Sequence, residues 1–390
     1  MARILWSMTA GRFEAMLHVF VDVVRSRHDH FAGLRAAIDR EGLGDMVDVR
    51  FSPAEFDWID EVEYSERRFL RVLYYRRIFR SLVDRLDAVI AAQRDGESVR
   101  VYFSDEGVWA VIWADYRRRL ARSGVQGVNV QHGFALVRPA RWMGLRRAVN
   151  AVSRLATGFA CIGYGSLAGA GPEPFELYLT YDEAGAAHIR ATSGRAAIVA
   201  PHLIKHQLVT EFARLPAACP DGPMRVLFAM NVKMRGSPIK CDVVETFDVL
   251  LPLAQALEKL DARLVIRFHP GMDQQVETRR FLAHPIARHA ELDERASLQM
   301  ALAGSGMVMS LLSTVLWEAG LLGILPVQIM CRCCDDVELG YARAQLRLDA
   351  DFRPQLASLV ATAQSADRSR ALDQIDVEWR QVKAALLQLA

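Results

Sequence analysis

The sequence offers no run of the roughly 20 uninterrupted apolar residues that spans a bilayer. Its opening Met1-Ala2-Arg3-Ile4-Leu5-Trp6 is too short in apolar residues for a secretory leader. The chain is therefore expected to be neither exported nor membrane-spanning, although contact with a membrane surface stays open. An excess of one charge sign is missing too: 48 Lys+Arg face 46 Asp+Glu, so there is no global polyanion-binding footprint and any basic surface is local. A GxGxxG fingerprint is lacking throughout, which argues against a nicotinamide dinucleotide. Cysteine is sparse. Of six, only Cys331, Cys333 and Cys334 cluster, and Cys-Arg-Cys-Cys does not have the paired spacing of a zinc site. Reduced thiols in a cytoplasm are the expectation. No repeat is visible beyond an alternation of strand-like and helix-like segments.

What the chain does have is apolar matter. At 52% hydrophobic and 24% charged it can build proper cores, and 390 residues favour two domains over one. The alternation implies parallel sheets and an α/β class. Pro216, Pro220, Gly222 and Pro223 interrupt all periodicity, so the interdomain link is expected between residues 215 and 223. That gives domains over 1–215 and 223–367, followed by an amphipathic helix over 368–390 that crosses back to the first domain.

In chain order, residues 3–6 read as a strand and 13–27 as a helix, because Phe13, Met16, Leu17, Phe20, Val23 and Val24 recur at helical spacing. An arginine-rich helix over 65–93, a strand over 98–103 and another ending near Val130 follow. Residues 138–154 combine arginines with Trp142, Met143, Leu145, Val149 and Val152. Such a composition suits either an ordinary surface helix or one that sets apolar side chains into lipid while arginines meet anionic headgroups. Strands over 175–180 and 197–200 flank a helix over 182–192. In the second half, strands over 225–230, 264–268 and 307–309 alternate with helices over 247–260 and 295–303, and a core strand ends near Ile329.

Candidate site residues cluster where strands end, which is where open α/β sheets hold ligands. His269 and Pro270 follow the apolar Leu264-Val265-Ile266 strand. Ser310, Ser313 and Thr314 stand at a strand-to-helix turn, where hydroxyls and helix N-terminal amides can cradle a phosphate, or where Ser and Thr simply cap a helix. Glu318, one helical turn beyond Thr314, suits bidentate bonding to ribose hydroxyls. In the first half, Asp105 and Glu106 precede Gly107 at a strand end. One carboxylate there can take a proton from a hydroxyl, although N-capping explains the tetrapeptide alone as well. Gln131 and His132 reach the same rim. Asn231 and Lys233, after the 225–230 strand, are candidates for phosphate or acceptor contact.

Asp105-Glu106-Gly107, His269-Pro270 and Ser313-Thr314 occur in the order and approximate spacing of three motifs of the bacterial sialyltransferases, which this chain therefore resembles. The resemblance covers little of the sequence beyond those motifs, and the last pair is Ser-Thr here where the family also uses Ser-Ser. It implies a GT-B fold, with two Rossmann-like domains facing across a cleft, and a CMP-activated nonulosonic acid as donor. Carried over, Asp105 looks like the general base on the acceptor hydroxyl. His269 would bond the departing CMP phosphate, and Ser313 and Thr314 would bind it. Gln131-His132-Gly133 is also similar to a motif of capsule and lipopolysaccharide enzymes that use CMP-Kdo and of CDP-glycerol phosphotransferases, which leaves inversion and retention both open.

The resemblance thus implies a metal-independent glycosyltransferase, inverting in the sialyltransferase pattern. It would need no cofactor and would move a sialic-acid-like sugar from a CMP-sugar to a hydroxyl of a cell-surface glycan or lipid-linked glycan precursor. The alternatives are a CMP-Kdo transferase of capsule or lipopolysaccharide synthesis, a CDP-glycerol-type polyol-phosphate transferase, and a non-catalytic nucleotide-sugar-binding protein. No nucleic-acid partner is expected. The expected place is the cytoplasm, at the inner face of the cell membrane if the 138–154 region touches lipid.

Overall fold

A computed structural model of the chain describes residues 16–23, 31–51, 68–91, 98–104, 113–117, 124–131, 143–157, 175–215, 222–231, 239–334, 339, 342–348, 351–363 and 368–389. The chain divides into two compact units, one formed by Met1–Gln207 with Gln374–Ala390 and the other by Leu208–Asp373. Each is built on a six-stranded sheet, and every strand pair in both sheets is parallel.

The first sheet comprises β1 (Met16–Val23), β2 (Asp45–Phe51), β3 (Ser98–Phe103), β4 (Val125–Val130), β5 (Leu177–Thr180) and β6 (Ala196–Val199), in the order β2-β1-β3-β4-β5-β6. β3 and β5 are buried along their whole length, as parallel strands covered on both faces must be. β1 corrects the expectation of a helix over 13–27. Its Met-Leu-His-Val-Phe-Val run is apolar almost without a break, so it matches a 3.6-residue period as readily as a strand buried on both faces. Pairing with β2 on one side and β3 on the other decides the matter. The strand expected over 3–6 lies outside the described residues. Gly44, just before β2, has a φ of +136°, and a Cβ there would run into the Met16 carbonyl oxygen. Only glycine lets β2 come in beside β1 at that point.

The C-terminal helix, Arg368–Gln388, is tied into the first unit through residues 374–390. Glu378 accepts from the Leu203 backbone N–H at 2.8 Å and pairs with His202 Nδ1 at 2.6 Å. Trp379 and Lys383 both donate to Glu41. The fully buried Arg100 of β3 donates to the Leu386 carbonyl at 3.3 Å, placing a cation at the helix C-terminus, where the backbone dipole favours one.

The second sheet comprises β7 (Met224–Ala229), β8 (Ala262–Arg267), β9 (Ala290–Leu292), β10 (Met307–Ser310), β11 (Leu325–Met330) and β12 (Ala344–Arg347), in the order β12-β11-β10-β7-β8-β9. Counted from β7, this is the Rossmann order 3-2-1-4-5-6, whose direction reverses between β7 and β10. Helix Val243–Glu258 packs on β8 and opens with a full capping box, Asp242 and Glu245 each accepting from the other's backbone N–H at 2.9 and 2.8 Å. The core combines Phe228, Phe247, Leu250, Leu264, Ile266, Met309 and Val327.

The thiols are not all reduced. Cys241, just ahead of that helix, is disulfide-bonded to Cys333, just past β11, with Cα atoms 4.8 Å apart. Lys240 donates its backbone N–H to the Cys333 carbonyl at 2.8 Å, and Ile239 bridges to Cys334. Backbone pairing thus brings the two cysteines together across 92 residues of sequence, which spacing alone does not reveal. Cys331 and Cys334 are not part of that disulfide, and the Cys334 thiol donates to the Ile329 and Cys331 carbonyls.

Candidate functional site

In a sheet of this order, the crevice for a ligand opens at the carboxyl ends of the two strands flanking the reversal, because the connections leave them in opposite directions. Here those strands are β7 and β10. Asn231 follows β7 by two residues, and the turn from Leu311 to Ser313 joins β10 to helix Thr314–Leu321. His269 follows β8, the other neighbour of β7. Two interstrand spacings of about 4.8 Å set the carboxyl ends of β8 and β10 on the order of 10 Å apart, a span that suits a nucleotide phosphate and its sugar.

The turn after β10 is held by side-chain amides on both sides, the half-buried Asn231 and the fully buried Gln328. From β7's end, Asn231 Nδ2 donates to the Leu312 carbonyl at 2.6 Å while its Oδ1 accepts the Leu312 N–H at 3.4 Å. From β11, Gln328 Nε2 donates to the Leu311 carbonyl at 3.2 Å, and its Oε1 accepts the Leu339 N–H at 2.9 Å. Ser310 is fully buried. Its hydroxyl donates to the Ala229 carbonyl at 2.7 Å and lies 2.9 Å from Asn231 Oδ1. Ser310 and Asn231 therefore brace the turn from inside.

Ser313 is the N-cap of helix Thr314–Leu321, in extended conformation at φ −128° and ψ 140°, and its Oγ accepts the Val315 N–H at 3.2 Å. Capping and anion binding are chemically compatible in a serine, because a hydroxyl is both an acceptor and a donor. Thr314 is the first helical residue and is exposed. The first-turn amides of any helix lack intrahelical partners and carry its positive dipole end. Glu318 lies on the same helical face one turn later and is buried.

His269 is exposed, as is Pro270 beside it. Its Nδ1 accepts the Gly271 backbone N–H at 3.0 Å, and its carbonyl accepts from Met272 N at 2.9 Å and Gln274 Nε2 at 3.0 Å. The strand end beneath it is fixed by Arg267, which donates to Asp293 at 2.5 Å and to the Arg295 carbonyl at 3.0 Å. Partial desolvation lowers the imidazole pKa. A neutral ring whose Nδ1 is an acceptor carries its proton on Nε2. His269 is thus prepared as a neutral N–H donor, suited to a hydrogen bond with an anionic oxygen rather than to outright proton delivery.

On the first unit, Asp105, Glu106, Gly107 and His132 lie outside the described residues, as does Lys233 on the second. Their neighbours in the chain are placed. Ser104, after β3, is buried, and β3 sits beside β1, where the first sheet's order reverses. Gln131, after β4, is buried with its Oε1 accepting the Tyr181 N–H at 2.8 Å, an anchor between strand ends. The sequence contains one Asp-x-Asp triplet, Asp349-Ala350-Asp351. Its Asp351 carboxylate receives the Arg353 N–H at 3.4 Å, at the start of helix Arg353–Thr362. Among the described residues no group of three or more His, Cys, Asp or Glu is placed to hold a metal ion.

Gln328 is a site residue that the sequence motifs do not single out. Its signal was a lone amide inside the apolar run Ile324-Leu325-Pro326-Val327-Gln328-Ile329, and a buried polar side chain in such a run needs specific partners.

No protein-family model matches the chain, and no curated protein is significantly similar to it in sequence. Solved structures do resemble it. An α,α-trehalose-phosphate synthase (UDP-forming) from Burkholderia vietnamiensis aligns with a TM-score of 0.52 at 12% identity, covering 96% of this chain and 100% of that one. A UDP-N-acetylglucosamine 2-epimerase aligns with a TM-score of 0.52 at 12% identity, covering 93% and 91%. The chain has the GT-B fold, two Rossmann-like units in one polypeptide. A fold shared by a synthase and an epimerase leaves the reaction to be argued from the site.

Proposed function

We propose, from the GT-B fold and the switch-point residues of its second unit, that this protein is a glycosyltransferase. It moves a sialic-acid-like nonulosonic acid from a CMP-sugar to a hydroxyl of a surface glycan precursor. The observation that carries the reading is the convergence of a neutral Nε2–H donor at His269 and a capped, braced helix start at Ser313-Thr314 on the strands around one switch point.

The chemistry follows from the leaving group. Breaking the glycosidic C–O bond of a CMP-sugar places the electron pair on a phosphate monoester oxygen. Hydrogen-bond donors already oriented towards that oxygen stabilise its charge more in the transition state than in the ground state. His269 contributes one donor, the Ser313 and Thr314 hydroxyls and the first-turn amides contribute others, and Glu318 accepts from the ribose hydroxyls. Asp105 takes the proton of the acceptor hydroxyl as the new C–O bond forms. A monophosphate carries less charge than a pyrophosphate, so these groups suffice without a metal.

Incubation with CMP-sialic acid, CMP-Kdo and CDP-glycerol, followed by release of CMP or glycerol phosphate transfer, tests the proposal. Turnover of a CMP-sugar that is abolished in Asp105→Asn supports it. Transfer from CDP-glycerol would replace it with phosphotransfer, and CMP binding without turnover of any donor would leave only a binding protein.

A further inference from the structure

Helix Met143–Thr157 of the first unit is arranged inside out. Its buried side is polar: Asn150 is completely buried, and Arg154 donates through Nε to the buried Asp115 at 2.6 Å. Its outward side is apolar. Leu145 is 56% exposed, Val152 66% and Leu155 90%, with Ala148 also exposed between them. At 3.6 residues per turn these four positions fall within roughly 40° of the direction opposite Asn150. They form one stripe along the helix. A fold gains nothing from turning leucines to water while burying an asparagine and half-burying an arginine, so such a stripe marks a partner surface.

Charge identifies the partner. Between residues 116 and 172 there is no Asp or Glu, whereas Arg138, Arg141, Arg146, Arg147 and Arg154 fall in or just before this helix. Arg154 is spent on Asp115. The others form a cationic segment in a chain whose net charge as a whole is only +2. Pairing with a second copy would set this acid-free segment against its twin, with no carboxylate of its own to offset the repulsion. An anionic bilayer complements both the apolar stripe and the positive charge that the sequence concentrates in this segment.

We propose that the helix Met143–Thr157 is a peripheral membrane anchor, inserting Leu145, Val152 and Leu155 between the headgroups of an anionic lipid leaflet. No described helix is long and apolar enough to cross a membrane, so the contact is one of lying on the surface. The inference does not depend on which donor the enzyme uses.

Co-sedimentation of the full chain with vesicles tests it, comparing phosphatidylcholine alone with phosphatidylcholine containing phosphatidylglycerol. The expected result is pelleting with the anionic vesicles only, weakened by raised salt. It should fall by at least about tenfold in Val152→Glu/Leu155→Glu and, more mildly, in Leu155→Ser. Both sites are exposed, and unchanged melting curves would verify that the variants fold. Failure of the wild-type chain to pellet with anionic vesicles overturns the proposal, as does equal pelleting of the variants. Self-association abolished by Leu155→Ser without vesicle binding would assign the stripe to a second copy instead.

Discussion

The Nδ1 of His269 lies 3.0 Å from the backbone nitrogen of Gly271, and because that N–H can only donate, the histidine is left with its proton on Nε2. Burial of part of the ring lowers its pKa, so the neutral donor persists somewhat below the usual histidine range, and acid conversion to imidazolium costs the Gly271 bond. CMP affinity is therefore expected to be level through neutral pH. Loss of a hydrogen bond to a charged phosphate contributes about 1.5–3 kcal/mol, so His269→Ala is expected to weaken CMP about ten- to a hundredfold. His269→Gln, which keeps an N–H near the same reach, is expected to lose much less. Calorimetric titration of the two variants separates a donor role from a merely local one.

The brace around the Leu311-Leu312 turn gives a second expectation. Gln328→Met keeps the volume but leaves the Leu311 carbonyl and the buried Leu339 N–H without their partner. The expected loss is about 2–6 kcal/mol of stability by urea denaturation, since each of the two orphaned groups costs about 1–3. Asn231→Ala is expected to soften the same turn and weaken CMP binding, although Asn231's own amide is committed to Leu312. An unchanged urea midpoint for Gln328→Met would refute the brace.

The Cys241–Cys333 bridge closes a loop of 92 residues between segments that leave the two strands flanking β10. In the chain-entropy account a loop of that length contributes about 4.6 kcal/mol. Cys241→Ser is expected to melt earlier than wild type without reductant, and the difference is expected to vanish when dithiothreitol is added. A non-reducing digest lacking the Cys241–Cys333 peptide pair would contradict the pairing.

His18 supplies a pH dependence in the first unit. It is fully buried in β1, hydrogen-bonded through Nδ1 to the Tyr102 hydroxyl at 2.8 Å, and desolvation is the main cause of a pKa lowered to about 4. Unfolded, the ring titrates near 6.5, so between those values the unfolded chain binds more protons than the folded one. Its stabilisation is complete above about pH 6.5 and is lost progressively as the pH falls towards 4, on the order of 3 kcal/mol in all. Denaturation midpoints measured across that window are expected to slope less in His18→Asn than in wild type, and equal slopes would refute the assignment.

Much of the second unit could be read from sequence because its signals agree with one another. Apolar runs ending in His269 and at Ser310 marked β8 and β10, and Ser313 announced a helix start by its chemistry. What could not be read depends on contacts far apart in the chain. β1 looked helical because a strand buried on both faces carries no two-residue period, and only β2 and β3 beside it reveal the strand. β12 (Ala344–Arg347) was passed over because, at four residues with an exposed end, it takes its identity from pairing with β11. The disulfide needed the folded backbone to bring Cys241 to Cys333. Likewise, Asn231 read as a residue facing ligand, since nothing local to it discloses that Leu312, 81 residues on, occupies its amide.

The most direct test of the central claim is calorimetric titration of the purified chain with CMP, CDP and UDP, in wild type and in His269→Ala. CMP is expected to bind, more tightly than CDP or UDP, and the histidine variant to lose at least about tenfold. Preference for UDP or CDP, or CMP affinity indifferent to His269, would contradict it.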